Sequence, residues 1–168
     1  MECSIKEKIA NESSRIEEDS EHSFKAHYNA SDKWGRTNLA LGLLAALIGA
    51  ISGGASSACC SQALVTATAF IATALITCMT FLKPNEKSES HKNAGNLYQS
   101  LRNQTRIFRE IELDETMTDT EAKKKLALFC NRREELNTTM PSIPRQAYEK
   151  AKKDIDEGRA NYKVDKGI

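Results

Sequence analysis

From Thr37 to Leu82 the sequence has no Asp, Glu, Lys or Arg, although 28% of its 168 residues are charged. Chemistry-bearing motifs are missing as well. There is no glycine-rich phosphate loop, no nucleophile elbow and no metal-ligand pair, since His22 and His27 are poorly spaced and His91 stands alone. No carboxylate lies in the uncharged block, where desolvation would tune it, so the sequence indicates neither an enzyme nor a bound cofactor or metal. The five cysteines (Cys3, Cys59, Cys60, Cys78, Cys130) form no CxxC pair, and their odd number argues against a disulfide framework. Cys59 and Cys60 are adjacent, so a bridge between them is strained; they read as small turn residues or as thiols exposed outside a membrane. A long charged segment precedes the first apolar run, which excludes a signal peptide and keeps that run in the mature protein. Residues 1–36 carry six Lys/Arg against eight Asp/Glu and residues 83–168 eighteen against fifteen, with a net charge of +1. Neither flank resembles a nucleic-acid-binding arm, and no direct nucleic-acid binding is expected.

What fills the uncharged block is apolar and long enough for two membrane crossings of about 20 residues each. Leu39–Ile51 runs into the small residues Ser52 to Ala58, and Ala63–Leu82 forms a second segment without Gly or Pro. Gly53-Gly54 and Cys59 to Gln62 supply the expected turn. The alternative is a hairpin buried in a soluble bundle, but the rest of the chain is too polar to cover it, as the mean hydropathy of −0.51 reflects. The expected fold is therefore all-α. A two-span transmembrane hairpin (37–82, spans about 38–57 and 63–82) joins an N-terminal amphipathic cytoplasmic helix (1–36) to a cytoplasmic helical region (83–168). Trp34, between Lys33 and Arg36, suits the headgroup layer, and Lys83, Lys87 and Lys92 follow the second span. Basic residues at both outer ends and none in the turn place both termini in the cytoplasm and the protein in the inner (plasma) membrane.

Within the spans two patterns stand out. Gly42 and Ala46, and Ala45, Gly49 and Gly53, recur every four residues and mark faces for close helix packing, unless they reflect only the frequency of small residues in membrane helices. In the second span Gln62, Thr66, Thr73, Thr77 and Thr80 fall within about 60° of one another at 100° per residue. Such a hydroxyl stripe either lines a pore in an oligomer or returns its hydroxyls to carbonyls one turn back, or across the hairpin.

The flanks read as helices. Ile5, Ile9, Ile16, Phe24 and Tyr28 recur at helical spacing over 4–33, and Ala94, Leu97, Tyr98, Leu101, Ile107, Phe108 and Ile111 form a second stripe behind Pro84. Arg102, Arg106 and Arg109 share a face that either meets anionic lipid or a phosphate ligand or is a solvated surface beside Glu110 and Glu112. Thr118 to Glu121 is a capping box for a helix with Ala122, Leu126, Phe129 and Leu136 inside. Pro141 and Pro144 make a rigid turn or a PxxP ligand, and the last helix runs from Arg145 to about Glu157, with Gly158 as its cap.

The order of a cytoplasmic helix and a two-span hairpin, followed by F81-L82-K83-P84-N85-E86-K87, H91-K92-N93-A94-G95-N96-L97-Y98-Q99-S100-L101-R102-N103 and I107-F108-R109-E110-I111, resembles the SLATT domain family. So does N131-R132-R133-E134-E135-L136-N137 followed by P141-S142-I143-P144-R145-Q146-A147-Y148-E149-K150-A151. The name stands for SMODS and SLOG-associating two-transmembrane effector domain, and the resemblance covers nearly the whole chain. It implies a prokaryotic conflict-system effector that oligomerises in membrane lipid and opens pores in the cell's own membrane when a sensor is triggered. No sensor module is fused to this chain, so the resemblance implies a partner in trans: a nucleotide-signal synthase, a nucleotide-binding sensor or a reverse transcriptase. Two other readings stay open: a membrane-anchored interaction module without pore activity, and a holin-like lysis protein.

Overall fold

The structure is a computed structural model that describes residues 4–57 and 61–159, with the side chains of residues 55–57 left aside. Among these residues there are only helices and their connections: α1 (Ile5–Ser57), α2 (Gln62–Leu82), α3 (Pro84–Ile107), a π-helical turn (Phe108–Glu112), α4 (Asp119–Thr139) and α5 (Arg145–Asp156). Cys3, Cys59 and Cys60 lie outside the described residues. The chain forms two compact units, residues 1–30 with 90–168, and residues 31–89. The expected boundaries, 36/37 and 82/83, fall a few residues inside the second unit.

The helix ends follow from local chemistry. α1 passes through Gly53 and Gly54 in helical conformation, so these glycines do not form the expected turn; glycine lowers helix propensity by about 1 kcal/mol relative to alanine without forbidding the helix. Ser61 caps α2, its hydroxyl accepting from the Leu64 N–H at 3.4 Å. At the other end Lys83 takes a left-handed conformation, φ 45°, and donates its N–H to Met79 O at 3.0 Å. Pro84 then opens α3, a first-turn position where proline's missing N–H costs nothing. The capping box of α4 forms as expected: Thr118 Oγ1 accepts from the Glu121 N–H, and Glu121 Oε2 accepts from the Thr118 N–H. Residues 141–144 connect α4 to α5, and Gly158, at φ 69°, donates to Ile155 O.

In the first unit two helices present 3-4 spaced seams to the core. On α1 the seam runs through the buried residues Ile9, Ser13, Ile16, Ser20 and His27, with Ala26 and Ala30 buried beside it; on α3 it runs through His91, Ala94, Tyr98, Leu101 and Thr105, with Gly95 and Arg102 buried beside it, and is continued by Phe108. Ile16, Tyr98, Leu101 and Leu136 make one apolar cluster, and Ile9, Phe108 and Ala122 another, with Leu126 and Phe129 packed against both. The α4 face expected from its spacing is therefore the buried one. The α1 and α3 stripes need correction. Ile5, Ile107 and Ile111 are exposed, because at 100° per residue Ile107 stands about 180° from Tyr98. The π-helical turn, closed by Leu113 N–H to Phe108 O at 2.9 Å, ends the seam one residue later.

Candidate functional site

The second unit is unusual in what it leaves uncovered. In each of its two long helices only 6% of the most apolar 18-residue window is buried. Leu39, Leu43, Leu47 and Ile51 on α1, and Phe70, Ile76 and Phe81 on α2, are all more than half exposed. A core helix of a soluble protein buries such a window. Exposed apolar side chains scattered singly are ordinary on water-soluble surfaces, but a continuous apolar surface marks an interaction with lipid or protein. The chain thus has two helices long and apolar enough to cross a membrane.

The two helices meet along a narrow line. Ser52 Oγ donates to Val65 O at 3.2 Å, and a Cβ built on Gly42 would touch Met79 Cε at 3.6 Å, so α1 and α2 run antiparallel. Ala45 and Ala72 are the buried residues at this contact. Beside it runs an open groove lined by Gly42, Ala45, Ala46, Ile76, Met79 and Thr80. Small residues at Gly42 and Ala45 therefore serve the contact within the chain. At Gly49 and Gly53 an added Cβ would meet nothing within 4 Å. Where residue 89 approaches, Ser88 Oγ donates to Ser31 O at 2.9 Å and stands 3.3 Å from where a Gly35 Cβ would be. Lys87 Nζ sits 4.4 Å above the Trp34 ring, a cation–π pair at the position expected for the headgroup layer.

Most of the hydroxyl stripe lies to one side of this contact. The α1-facing side of α2 includes Ala72, with Val65, Thr68, Leu75 and Met79 part-buried around it, and at 100° per residue the stripe lies about 80–140° from Ala72, with Thr80 at the edge of the groove. Gln62, Thr66, Thr73, Thr77 and Thr80 are exposed. Three of the hydroxyls nonetheless return to their own helix: Thr73 donates to Ala69 O (2.9 Å), Thr77 to Thr73 O (2.8 Å) and Thr80 to Ile76 O (3.0 Å). A hydroxyl bonded this way still offers lone pairs outward.

The chain matches no family model, no curated protein and no solved structure.

The three arginines belong to the first unit, Arg102 and Arg106 on α3 and Arg109 in the π-helical turn, and two of them meet carboxylates of α1. Arg102 lies 3.7 Å from Glu17 and 3.5 Å from Glu21, and Arg109 lies 3.1 Å from Glu17. Arg102 is 8% exposed, so its charge is matched inside the unit; Arg106, one turn on, is part-buried. On α4, Lys123 and Lys124 are exposed and Lys125 pairs with Glu112.

Two residues that sequence spacing did not single out are the histidines at the top of the seams. His27 and His91 face each other with their Nδ1 atoms 3.0 Å apart, and the Tyr98 ring stacks on His27 at 5.5 Å. One neutral imidazole donates and the other accepts. Burial, then the charge on His91, pushes the His27 pKa down to about 4, and burial lowers that of His91. Heptad spacing through polar residues (Ser13, Ser20, His27; His91, Tyr98, Thr105) was the available signal, but a stripe read from apolar residues alone passes over it.

Proposed function

We propose that this protein is a membrane-embedded, non-enzymatic effector of a prokaryotic defence system. In this reading α1 and α2 cross the inner membrane as a hairpin, with both termini in the cytoplasm. Several copies assemble, and on a signal from a sensor in trans they make the cell's own membrane leaky. The observation that carries it is the uncovered apolar surface of residues 39–54 and 62–82, because water penalises it at about 25 cal/mol for each Å² and lipid does not. The excess of Lys and Arg at the outer ends supports the orientation, and the resemblance of the flanking segments to the SLATT family supports the defence role. Assembly is required because two helices cannot enclose a channel, and an exposed stripe of threonines away from the α1 contact is the surface available to line one.

A second reading, a membrane anchor that recruits partners through its first unit, is favoured by the threonine hydroxyls that return to their own helix, since such a helix needs no water path. Leakage separates the two. The full chain is reconstituted in vesicles of phosphatidylethanolamine and phosphatidylglycerol, and release of an entrapped dye is followed. The pore reading expects release that Thr73→Val with Thr77→Val lowers at equal insertion, while Ala74→Val on another face leaves it unchanged. Thr68 is unsuited as a control because it stands on the α1 side. Equal release from all three proteins assigns the stripe to packing; no release from any, under conditions where the protein is inserted, favours the anchor; and extraction into buffer without detergent removes the membrane reading itself.

A further inference from the structure

The hairpin of the second unit has two unlike flanks. The open groove beside the α1–α2 contact, about 560 Å³, takes Gly42 and Ala46 from α1 and Ile76 and Thr80 from α2, which fixes the sides of the two helices that look the same way. On that flank, about 40–100° round from Ala45 and Ala72 at 100° per residue, stand Gly42, Ala46 and Gly49 of α1 and Ala69, Ile76 and Thr80 of α2. About 80–120° round the opposite way stand Leu44 and Ile51 of α1 and Leu64, Ile71 and Leu82 of α2, each 42–59% exposed. One flank is hollow and the other is an aliphatic ridge.

The two flanks match in depth as well as in shape. Copies inserted with the same orientation carry equal residue numbers at equal depth, so Leu44 of one copy stands level with the gap between Gly42 and Ala46 of the next, a knob opposite a hole. In lipid, burial of apolar surface gives helices no drive to associate; close packing and the freeing of lipid chains do. A ridge already rigid on its helix fills the groove with less loss of conformational entropy than an acyl chain that must be held there. Two grooves placed face to face leave that space unfilled, and lost contacts across a void weaken packing.

We propose that copies of this chain associate head to tail, the Leu44 ridge of one hairpin seated in the Gly42–Ala46 groove of the next. Each addition leaves one free groove and one free ridge, so the contact builds past a dimer and closes as a ring. It rests on the membrane reading above and supplies the assembly step of that reading. The hydroxyl stripe borders the contact, with Thr80 inside the groove.

The test is crosslinking of the full chain in vesicles of phosphatidylethanolamine and phosphatidylglycerol, with a short membrane-permeant bismaleimide and with Cys3, Cys59, Cys60 and Cys130 replaced by serine. Cys78 is exposed and lies on the ridge side of α2, about 120° from Ala72; Thr80 lies on the groove side, about 3 Å away in depth. The two stand about 160° apart round one helix, so a short reagent joins them only between chains. At equal insertion, the chain carrying both Cys78 and Thr80→Cys is expected to give a ladder past the dimer. Cys78 alone, or Thr80→Cys with Cys78→Ser, stays monomeric, and an equal mixture of those two stops at the dimer. Leu44→Ala lowers the share of chain in the ladder at least threefold, whereas Leu43→Ala, on the side of α1 turned away from α2, leaves it unchanged; both leucines are about half exposed, so neither change disturbs the hairpin. No product above the monomer from the two-cysteine chain, dimers from Thr80→Cys alone, a ladder that falls in proportion on tenfold dilution with lipid, or equal ladders from Leu44→Ala and Leu43→Ala each overturns the proposal. Dye release that persists without a ladder strikes this contact alone and leaves the leakage reading standing. Should the serine replacements prevent insertion, a lysine-directed reagent on the otherwise native chain makes the same Leu44 and Leu43 comparison.

Discussion

Acidification should loosen the first unit through the His27–His91 pair well before the carboxylates protonate. In the folded chain the His27 pKa is lowered from 6.5 to about 4 because the ring is buried beside His91. An unfolded chain therefore binds more protons between these values, so stability is fully present above pH 6.5 and is lost as pH falls through the window. For one such group the linkage integral between pH 7.5 and pH 5 comes to about 2 kcal/mol, with each pKa unit worth about 1.4 kcal/mol. His91, shifted in the same direction, adds to it. The assay is hydrogen exchange by mass spectrometry on the full chain in detergent, following peptides over residues 20–30 and 91–101, with rates corrected for the intrinsic pH dependence. A 2 kcal/mol loss corresponds to roughly thirtyfold less protection at pH 5 than at pH 7.5. The double variant His27→Gln with His91→Gln is expected to lose this slope whatever its absolute stability. If wild type and double variant show the same slope, or if protection rises with acid, the pair is not what couples the unit to protons.

Three further outcomes test particular contacts. Gly95→Ala should destabilise the first unit by about 1–3 kcal/mol, because its Cβ would stand 2.7 Å from Tyr28 Cε1, on a ring held by the Tyr28 hydroxyl, which lies within hydrogen-bond distance of the side-chain amides of Asn96 and Gln99; thermal melts should show most of that loss relieved in a Tyr28→Leu background. Glu17→Gln removes the carboxylate shared by Arg102 and Arg109 at a part-buried site and should cost about 2 kcal/mol, whereas Glu12→Gln breaks only the exposed pair with Arg15 and should cost under about 0.5 kcal/mol; equal melting shifts for the two variants would remove the network from the stability account. Gly49→Leu adds a side chain where a Cβ meets nothing, so the melting temperature should hold while the ladder of crosslinked oligomers weakens, and Gly42→Leu, against Met79, should lower the melting temperature instead. An unchanged ladder in Gly49→Leu would place any association elsewhere.

Much of this molecule is written in local sequence. The uncharged stretch, the ends of α2 at Ser61 and Lys83, the Thr118–Glu121 capping box and the Gly158 stop each depend on neighbours a few residues away, and apolar length alone suffices to identify two helices of membrane-crossing character. The hydroxyl stripe is local too, since 100° per residue places Thr73 and Thr77 together before any packing is known. Continuation of α1 through Gly53-Gly54 was less visible, because two glycines weaken a helix only slightly and the decision rests with the apolar turns on either side. Tertiary structure decided which polar residues are core. Ser13, Ser20 and Thr105 fill the 3-4 seams, and His27 and His91 become a pair, only because α1 and α3 approach closely enough to exclude water from them. It also decided that Ile107 and Ile111 stay outside, and that Arg102 and Arg109 spend their charge on Glu17. Which partner a long side chain finds is set by residues distant in sequence, and helical spacing carries no record of them.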